Sequence, residues 1–319
     1  MNTYYENVYI MDKYSLLAST KYKPIVKERV NECIDDYYLK EKSVEEAECK
    51  YQEKTIMGLL SKYKGISLLV SSDLQNQNIC STYASSNTNI PYLGIYAACS
   101  SFNEGLIISA NIIEKNKNNI ILSVSSHNLV SEKQFRNPVE YGSVRKKVNT
   151  LTATGSISVL LTNKKTNIKV ESSTIGKVCK TNHKDTNDMG SAMAIACADT
   201  LLNHLKNTKR TPDYYDLILT GDLGVYGKEI MIDCFEKMSN LKLYNVIDAG
   251  SIFYTEENNF AGSSGPACLP LVLFDYILPQ KTYNKILLLA TGSLHSVYSS
   301  NLNKEIPSIC HAVSLEVKY

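Results

Sequence analysis

A strand that ends in a turn of small residues and leads directly into a helix is indicated by GIYAACSS at residues 94–101. Pro91 precedes the strand, and the helical pattern continues to about Lys115. A further apolar strand follows at residues 120–125. Strand, helix and strand in this order form the basic unit of an α/β fold. Ligands of such folds bind where the strands end, and Cys99 is located at such a point.

Four segments of the first half of the chain have counterparts in the same order in the second half. The pairs are 66–74 with 215–223, 99–101 with 262–265, 120–125 with 286–290, and 155–161 with 311–317. We therefore predict a duplicated α/β unit with a pseudo-twofold axis, divided into residues 1–165 and 166–319. In that arrangement the turns after equivalent strands face each other, so Cys99, Asp222, Ser263 and His311 are expected near one cleft.

The composition is that of a globular protein with a large core. The chain has 319 residues, of which 44% are apolar, and its formal net charge is +2. This balance excludes a disordered chain and argues against nucleic acid as a partner. The apolar runs are far shorter than the about 20 residues that span a bilayer. The N-terminus also lacks a secretory pattern, so we expect no transmembrane segment and no signal peptide.

The cysteines and histidines do not have the spacings of metal sites or disulfide frameworks. The nine cysteines include no CxxC pair, and the five histidines include no HExxH or HxH arrangement. Such usage is typical of a reduced, intracellular protein. We expect neither a metal site nor a cofactor.

Cys99 is the strongest candidate for a reactive or ligand-binding residue. At a helix N-terminus the first N–H groups and the helix dipole favour a thiolate and stabilise a nearby anion. The alternative is a small buried cysteine that only fills space. His127 follows the strand after the Cys99 helix, and His311 begins the last strand, so both are candidates for assisting it. The alternative for each is a hydrogen-bonded framework histidine, and His295 is expected close to the same cleft.

A site for an anionic ligand is also indicated by Arg136, in the loop QFRNPVEYG at residues 134–142. A guanidinium binds a carboxylate through two parallel hydrogen bonds, although a solvated or glutamate-paired surface arginine would show the same pattern. The glycine-rich stretch GDLGVYG at residues 221–227 contains Asp222. It matches neither the dinucleotide nor the P-loop fingerprint, and therefore predicts a turn.

Several motifs together resemble one family. They are GIYAACS at 94–100, SSHN at 125–128, QFRNPVEYG at 134–142, NDMGSAMA at 187–194, LTGDL at 219–223 and FAGSSG at 260–265. The chain resembles the stage V sporulation protein AD family of spore-forming bacteria over about residues 50–317. That family is similar to the thiolase and ketoacyl synthase III superfamily. The resemblance implies a five-layer α-β-α-β-α fold built from two duplicated halves.

The resemblance also implies a ligand and partners. Members of this family are associated with the movement or retention of dipicolinic acid, pyridine-2,6-dicarboxylate, in sporulation and germination. It implies the other stage V sporulation A channel proteins as partners, a peripheral position at the inner membrane of the forespore, and a possible homodimer. A dianionic aromatic acid suits a pocket with a helix N-terminus, imidazoles and a guanidinium. The residues we predict to bind it are Cys99, His127, Arg136, Asp222, Ser263 and His311.

Condensing enzymes of this superfamily use a cysteine, a histidine and an asparagine. Cys99 matches the nucleophile, but the histidine position falls at Asp222 and the asparagine position at Ser263. We therefore predict a binding protein without enzymatic activity. The alternatives are an active acyltransferase that uses Cys99, and a scaffold that has lost the ligand.

The beginning of the chain departs from the family. Members carry a Gly/Pro-rich segment before the first long helix, whereas residues 1–57 here contain no glycine and only Pro24. Residues 27–63 predict one or two amphipathic helices, and residues 75–90 predict a loop. We expect this chain to differ most from its relatives in this first part.

Overall fold

The computed structural model describes residues 1–18, 22–135, 146–255 and 260–319, and within them the strands of an α/β protein. The strands are β1 Asn2–Tyr4, β2 Tyr9–Ala18, β3 Glu32–Ile34, β4 Leu68–Ser72, β5 Tyr92–Gly94, β6 Ile120–Ser126, β7 Thr150–Thr152, β8 Gly155–Thr162, β9 Ile168–Thr174, β10 Leu217–Gly221, β11 Val246–Asp248, β12 Gly262–Ser264, β13 Lys285–Ser293 and β14 Ser308–Val317.

Helices connect these strands. The α-helices are α1 Val44–Leu60, α2 Ile79–Ser86, α3 Ser101–Asn116, α4 Asn128–Phe135, α5 Met189–Thr208, α6 Gly224–Ser239, α7 Ala249–Ile252, α8 Cys268–Val272 and α9 Val297–Asn301. A π-helical turn, Leu273–Ile277, continues α8.

The two halves of the chain have the same strand order and the same strand directions. The N-terminal half has the order β5-β4-β6-β8-β2, and the C-terminal half has β11-β10-β13-β14-β9. In each half the first three strands of this order are parallel, and the remaining two are antiparallel to their neighbours. At the junction of the two halves, β2 pairs with β9 at Ile10 and Ile168, so the strands of both halves form one continuous sheet.

The helices cover both faces of each half and produce five layers. Helices α1 and α2 pack on the outer face of the N-terminal half, and α5 and α6 pack on the outer face of the C-terminal half. Helix α3 and the α8 segment belong to the central core, between the strands of the two halves. Alternation along β13 shows this division, because Leu288 belongs to the central core whereas Leu287 and Leu289 face α5 and α6.

The structure corrects one expectation about the first part of the chain and adds two strands to it. Residues 27–63 contain one α-helix, α1, within the predicted one or two, together with the strand β3. Residues 75–90 contain a 3₁₀ turn and α2 rather than only a loop. A long first strand, β2, pairs with β8 although no glycine or turn signal marks it. The glycine-free beginning therefore supplies a strand to the sheet.

In the described part of the chain, no helix is both long enough and apolar enough to cross a membrane.

Candidate functional site

The turn that carries Cys99 is held tightly at the N-terminus of α3. Ala98 has a φ of 51°, a conformation that costs energy for a residue with a side chain. The Ser101 hydroxyl stabilises the turn, since it donates to the Ala98 carbonyl at 2.7 Å and accepts from the Ala97 N–H at 2.9 Å. Behind the turn lies Gly292 of β13, where a Cβ would be 2.3 Å from the Ala97 carbonyl oxygen. The sequence therefore fixes the backbone around Cys99.

Cys99 lines a small cavity at the ends of strands from both halves. The volume is about 30 Å³, and the lining residues are Leu74, Ala98, Cys99, Ser131, Phe135, Thr152, Met189, Ser264, Ser293 and His295. Ser131 is only 7% exposed, and its Oγ has no hydrogen-bond partner among the described residues. The cavity therefore offers a thiol and a hydroxyl to whatever enters it.

A larger groove lies outside the cavity. Its volume is about 360 Å³, and it is lined by Gln75, Asn76, Gln77, Asn78, Tyr96, Gln134, Phe135, His295 and Ser296. Phe135 and His295 line both spaces, and their rings are 5.4 Å apart between centroids. The Ser293 hydroxyl lies 3.0 Å from Nδ1 of His295, which orients the imidazole.

Asp222 follows β10 and is buried next to a second carboxyl group. Its φ is 72°, and neither carboxylate oxygen makes a hydrogen bond of normal geometry to the described residues. Burial, followed by the nearby charge of Asp248, raises the pKa of Asp222 well above its usual value. Asp248 itself accepts hydrogen bonds from Thr220 and from the N–H groups of Leu223 and Gly224. Burial and the neighbouring carboxyl group therefore favour the neutral form of Asp222.

Ser263 does not line the Cys99 cavity, whereas its neighbour Ser264 does. This difference follows from the strand geometry of β12, in which successive side chains point to opposite faces. Ser263 lies beside Cys268, which is also within electrostatic range of Asp222 and Cys99. The structure thus brings Cys99, Asp222 and Ser263 around Cys268, but only Cys99 faces the cavity.

His127 is part of the framework of the N-terminal half. Its side chain is fully buried, with Tyr37 and Tyr51 packed around the ring. Nδ1 accepts from the Leu129 N–H at 3.2 Å, so Nε2 carries the proton and donates to the Tyr37 carbonyl at 3.3 Å. Burial lowers the pKa of His127 to about 4. The ring is therefore neutral near pH 7 and does not line the cavity.

His311 also lies away from the cavity lining. Its Nδ1 accepts a hydrogen bond from the Gly176 N–H at 3.3 Å. Burial lowers the pKa of His311 to about 4, so this imidazole carries no charge near neutral pH. Arg136 lies outside the described residues. The ligand-binding role of these three residues stays a prediction.

The cavity also contains residues that were not selected from the sequence. They are Ser131, Phe135, Thr152, Met189, Ser264 and Ser293. Phe135, Met189 and Ser264 belong to motifs that carry the family resemblance, whereas Ser131 lies in α4 without any spacing signal. Within the described ranges, no group of three or more His, Cys, Asp or Glu side chains could hold a metal ion.

Comparison with known proteins agrees with the motifs. A profile of the stage V sporulation protein AD family (SpoVAD) matches residues 3–316. The chain is also 36% identical over 291 residues to stage V sporulation protein AD of Bacillus subtilis (strain 168). That alignment covers 88% of this chain and 86% of the relative.

Solved structures of condensing enzymes have the same fold. OleA of Xanthomonas campestris with cerulenin bound superposes with a TM-score of 0.64 at 13% identity, over 98% of both chains. AbyA1, a tetronic acid condensing enzyme, has a TM-score of 0.60 at 10% identity, over 97% of this chain and 99% of its own. These likenesses confirm the expected thiolase-like α/β fold, and at such low identity they extend to the fold alone.

Proposed function

The chain belongs to the stage V sporulation protein AD family, and from this membership we propose that it is a non-enzymatic dipicolinate-binding protein of sporulation. In this role it binds pyridine-2,6-dicarboxylate during uptake in sporulation and release in germination. The Cys99 cavity is the proposed site. It lies at the N-terminus of α3, where helical N–H groups and the helix dipole favour a carboxylate.

One observation favours binding over catalysis. By the family resemblance, the histidine position of the condensing enzymes falls at residues 220–222, which read Thr-Gly-Asp here. Burial raises the pKa of Asp222 and favours its neutral form, which is a poor general base for a thiol. Ser263, at the asparagine position, faces Cys268 rather than the cavity. We therefore propose that the groups that activate the thiol and stabilise an enolate in condensing enzymes are replaced in this chain.

The proposed setting is a transport assembly. The protein would associate with the other stage V sporulation A channel proteins and lie peripherally at the inner membrane of the forespore, inside the spore. A homodimer is part of the proposal, since superfamily members are commonly dimers. Because the described residues contain no helix that could span a membrane, attachment would be through these partners.

Calorimetric titration with dipicolinate tests this function. We expect saturable binding by the wild type and at least about tenfold weaker binding by Cys99→Phe, because the larger side chain would fill the cavity. His127→Ala is a useful comparison because this ring lies in the framework, and we expect it to affect stability more than affinity. Absence of any heat from the folded wild type would exclude dipicolinate as the ligand.

A second candidate function is acyl transfer by Cys99. It is favoured by His295, which lines the same cavity as the thiol and could supply a base in place of the residue at position 222. An acyl-thioester donor would then leave a covalent mass increment on Cys99. Intact-protein mass spectrometry after incubation with acyl-CoA detects it, with Cys99→Ala as the control. The binding function predicts no increment.

A further inference from the structure

The Cys99 cavity alone is too small for an organic ligand. Small-molecule sites commonly have volumes of about 300–1,000 Å³, whereas this cavity has about 30 Å³. The neighbouring groove has about 360 Å³ and shares Phe135 and His295 with the cavity. A ligand that reaches Cys99 and extends past these two side chains gains the volume of the groove.

The groups along this path suit a flat anion. At the inner end, the buried Ser131 hydroxyl has no partner in the part of the chain that the structure describes, and Ser131 and Cys99 line the same cavity. At the boundary, Phe135 offers an aromatic surface, and His295 is oriented by its contact with Ser293. In the groove, burial raises the pKa of Tyr96 to about 12, so its phenol remains a hydrogen-bond donor.

We propose that the ligand site consists of the cavity and the groove together, with Ser131 and His295 as carboxylate-binding residues at either side of Phe135. The ligand class is a planar aromatic acid with two carboxylates in a meta relationship. One carboxylate accepts from Ser131 near the N-terminus of α3, the ring lies against Phe135, and the other carboxylate accepts from His295. This assignment rests on the proposed function and specifies how that ligand is recognised.

Two variants test the carboxylate contacts. Ser131→Ala removes a hydroxyl that has no partner among the described residues, so we expect folding to be preserved. His295→Asn keeps a polar group near Ser293 but removes the outer ring nitrogen. Each is expected to weaken dipicolinate binding about tenfold or more, as for the loss of one hydrogen bond to a charged group. His183→Asn, in the loop before α5 and outside both spaces, is the matched control and should bind like the wild type.

Ligand analogues separate the two contacts. Pyridine-2-carboxylate has one carboxylate fewer, so it should lose affinity for the wild type but be nearly insensitive to one of the two substitutions. Benzene-1,3-dicarboxylate keeps both carboxylates and should remain sensitive to both. If the wild type binds dipicolinate and both variants bind it equally well, this site is wrong while the proposed function stands. If the wild type does not bind dipicolinate, the proposed function fails.

Whether Phe135 separates the Cys99 cavity from the groove can be tested without the ligand. Phe135→Ala should open the cavity to the groove, so that N-ethylmaleimide labels Cys99 severalfold faster than in the wild type. Cys33 is exposed and serves as the internal reference in peptide-resolved mass spectrometry. An unchanged ratio of Cys99 to Cys33 labelling would show that Phe135 does not separate the two spaces, and would overturn the inference.

Discussion

At the level of single residues, burial raises the pKa of several carboxyl groups. Asp222 and Asp248 adjoin each other at the end of β10, and burial raises the pKa of Asp248 to about 6. Glu48 is buried between α1 and the sheet, where desolvation and then the charge of Asp73 raise its pKa to about 8. Each of these groups binds its proton more tightly in the folded than in the unfolded chain.

The pH dependence of stability should reflect this difference. A group with a raised folded pKa stabilises the protein fully below its unfolded pKa, and this contribution is lost as the pH rises through the folded pKa. Asp222→Asn removes one such group, so its melting temperature should fall less than that of the wild type between about pH 5 and about pH 8. The difference corresponds to at most about 1.4 kcal/mol per pH unit for one proton.

Thermal unfolding followed by circular dichroism at several pH values measures this effect. Asp233→Asn, on the exposed side of α6, is the matched control, and it should retain the wild-type pH dependence. Parallel curves for the wild type and Asp222→Asn would mean that Asp222 is ionised in the folded protein.

The candidate site was only partly predictable at this scale. Cys99 could be selected because small residues before a helix leave a visible pattern. Other residues of its cavity, such as Ser131, come from another segment and carry no local signal. His127, in contrast, was selected from the sequence but does not line the cavity. It follows a strand as a site residue would, yet its ring is enclosed by Tyr37 and Tyr51. Only tertiary contacts distinguish the two cases.

At the scale of elements, α5 and α6 approach each other so closely that their contact depends on glycine. A Cβ on Gly227 would lie 2.7 Å from the carbonyl carbon of Gly190, and one on Gly190 would lie 2.2 Å from the Leu223 carbonyl oxygen. Both obstacles are backbone atoms, which a rotamer change cannot move. The outer layer of the C-terminal half therefore requires these glycines.

Gly227→Ala should therefore destabilise the protein. Helix propensity alone would stabilise α6 by up to about 1 kcal/mol. The forced separation of the helices outweighs this gain, and we expect a net loss of about 1–3 kcal/mol in the free energy of unfolding. Urea denaturation measures the change, with Lys228→Ala at the next position of α6 as a control that should stay near wild type. A more stable Gly227→Ala protein would contradict the close contact.

The elements that the sequence indicated share one property. Strands β4, β6, β10 and β13 are continuous apolar runs between turn residues, as buried parallel strands usually are. Strand β2 was missed because its middle is polar, and Lys13 there forms an ion pair with Asp275 of the π-helical turn. Helix α2 was missed because its Ser/Thr composition is typical of loops. In both cases long-range partners overcome the local preference.

At the scale of the whole molecule, the two halves are interlocked. Asn103 of α3 donates to the carbonyls of Leu288 at 3.1 Å and His311 at 2.8 Å, so a helix of the first half is bonded to two strands of the second. Strands β7 and β12 form a small sheet across the halves. The central core contains residues from both sheets. Each half therefore depends on the other to cover its inner face.

We expect neither half to fold alone. Residues 1–165 and 166–319, produced separately, would each expose one side of the central core and should show little cooperative unfolding by circular dichroism. Mixing the two fragments under refolding conditions should restore a cooperative transition. Independent, cooperative folding of either fragment would mean that the halves are separate domains.

We propose that this member of the family binds dipicolinate at the Cys99 cavity. Protection of Cys99 from N-ethylmaleimide tests it most directly, because the thiol reports on occupancy of its own cavity. With saturating dipicolinate, we expect labelling of Cys99 to slow at least about tenfold while labelling of exposed Cys33 is unchanged. Equal labelling of Cys99 with and without dipicolinate would show that dipicolinate does not bind at this cavity.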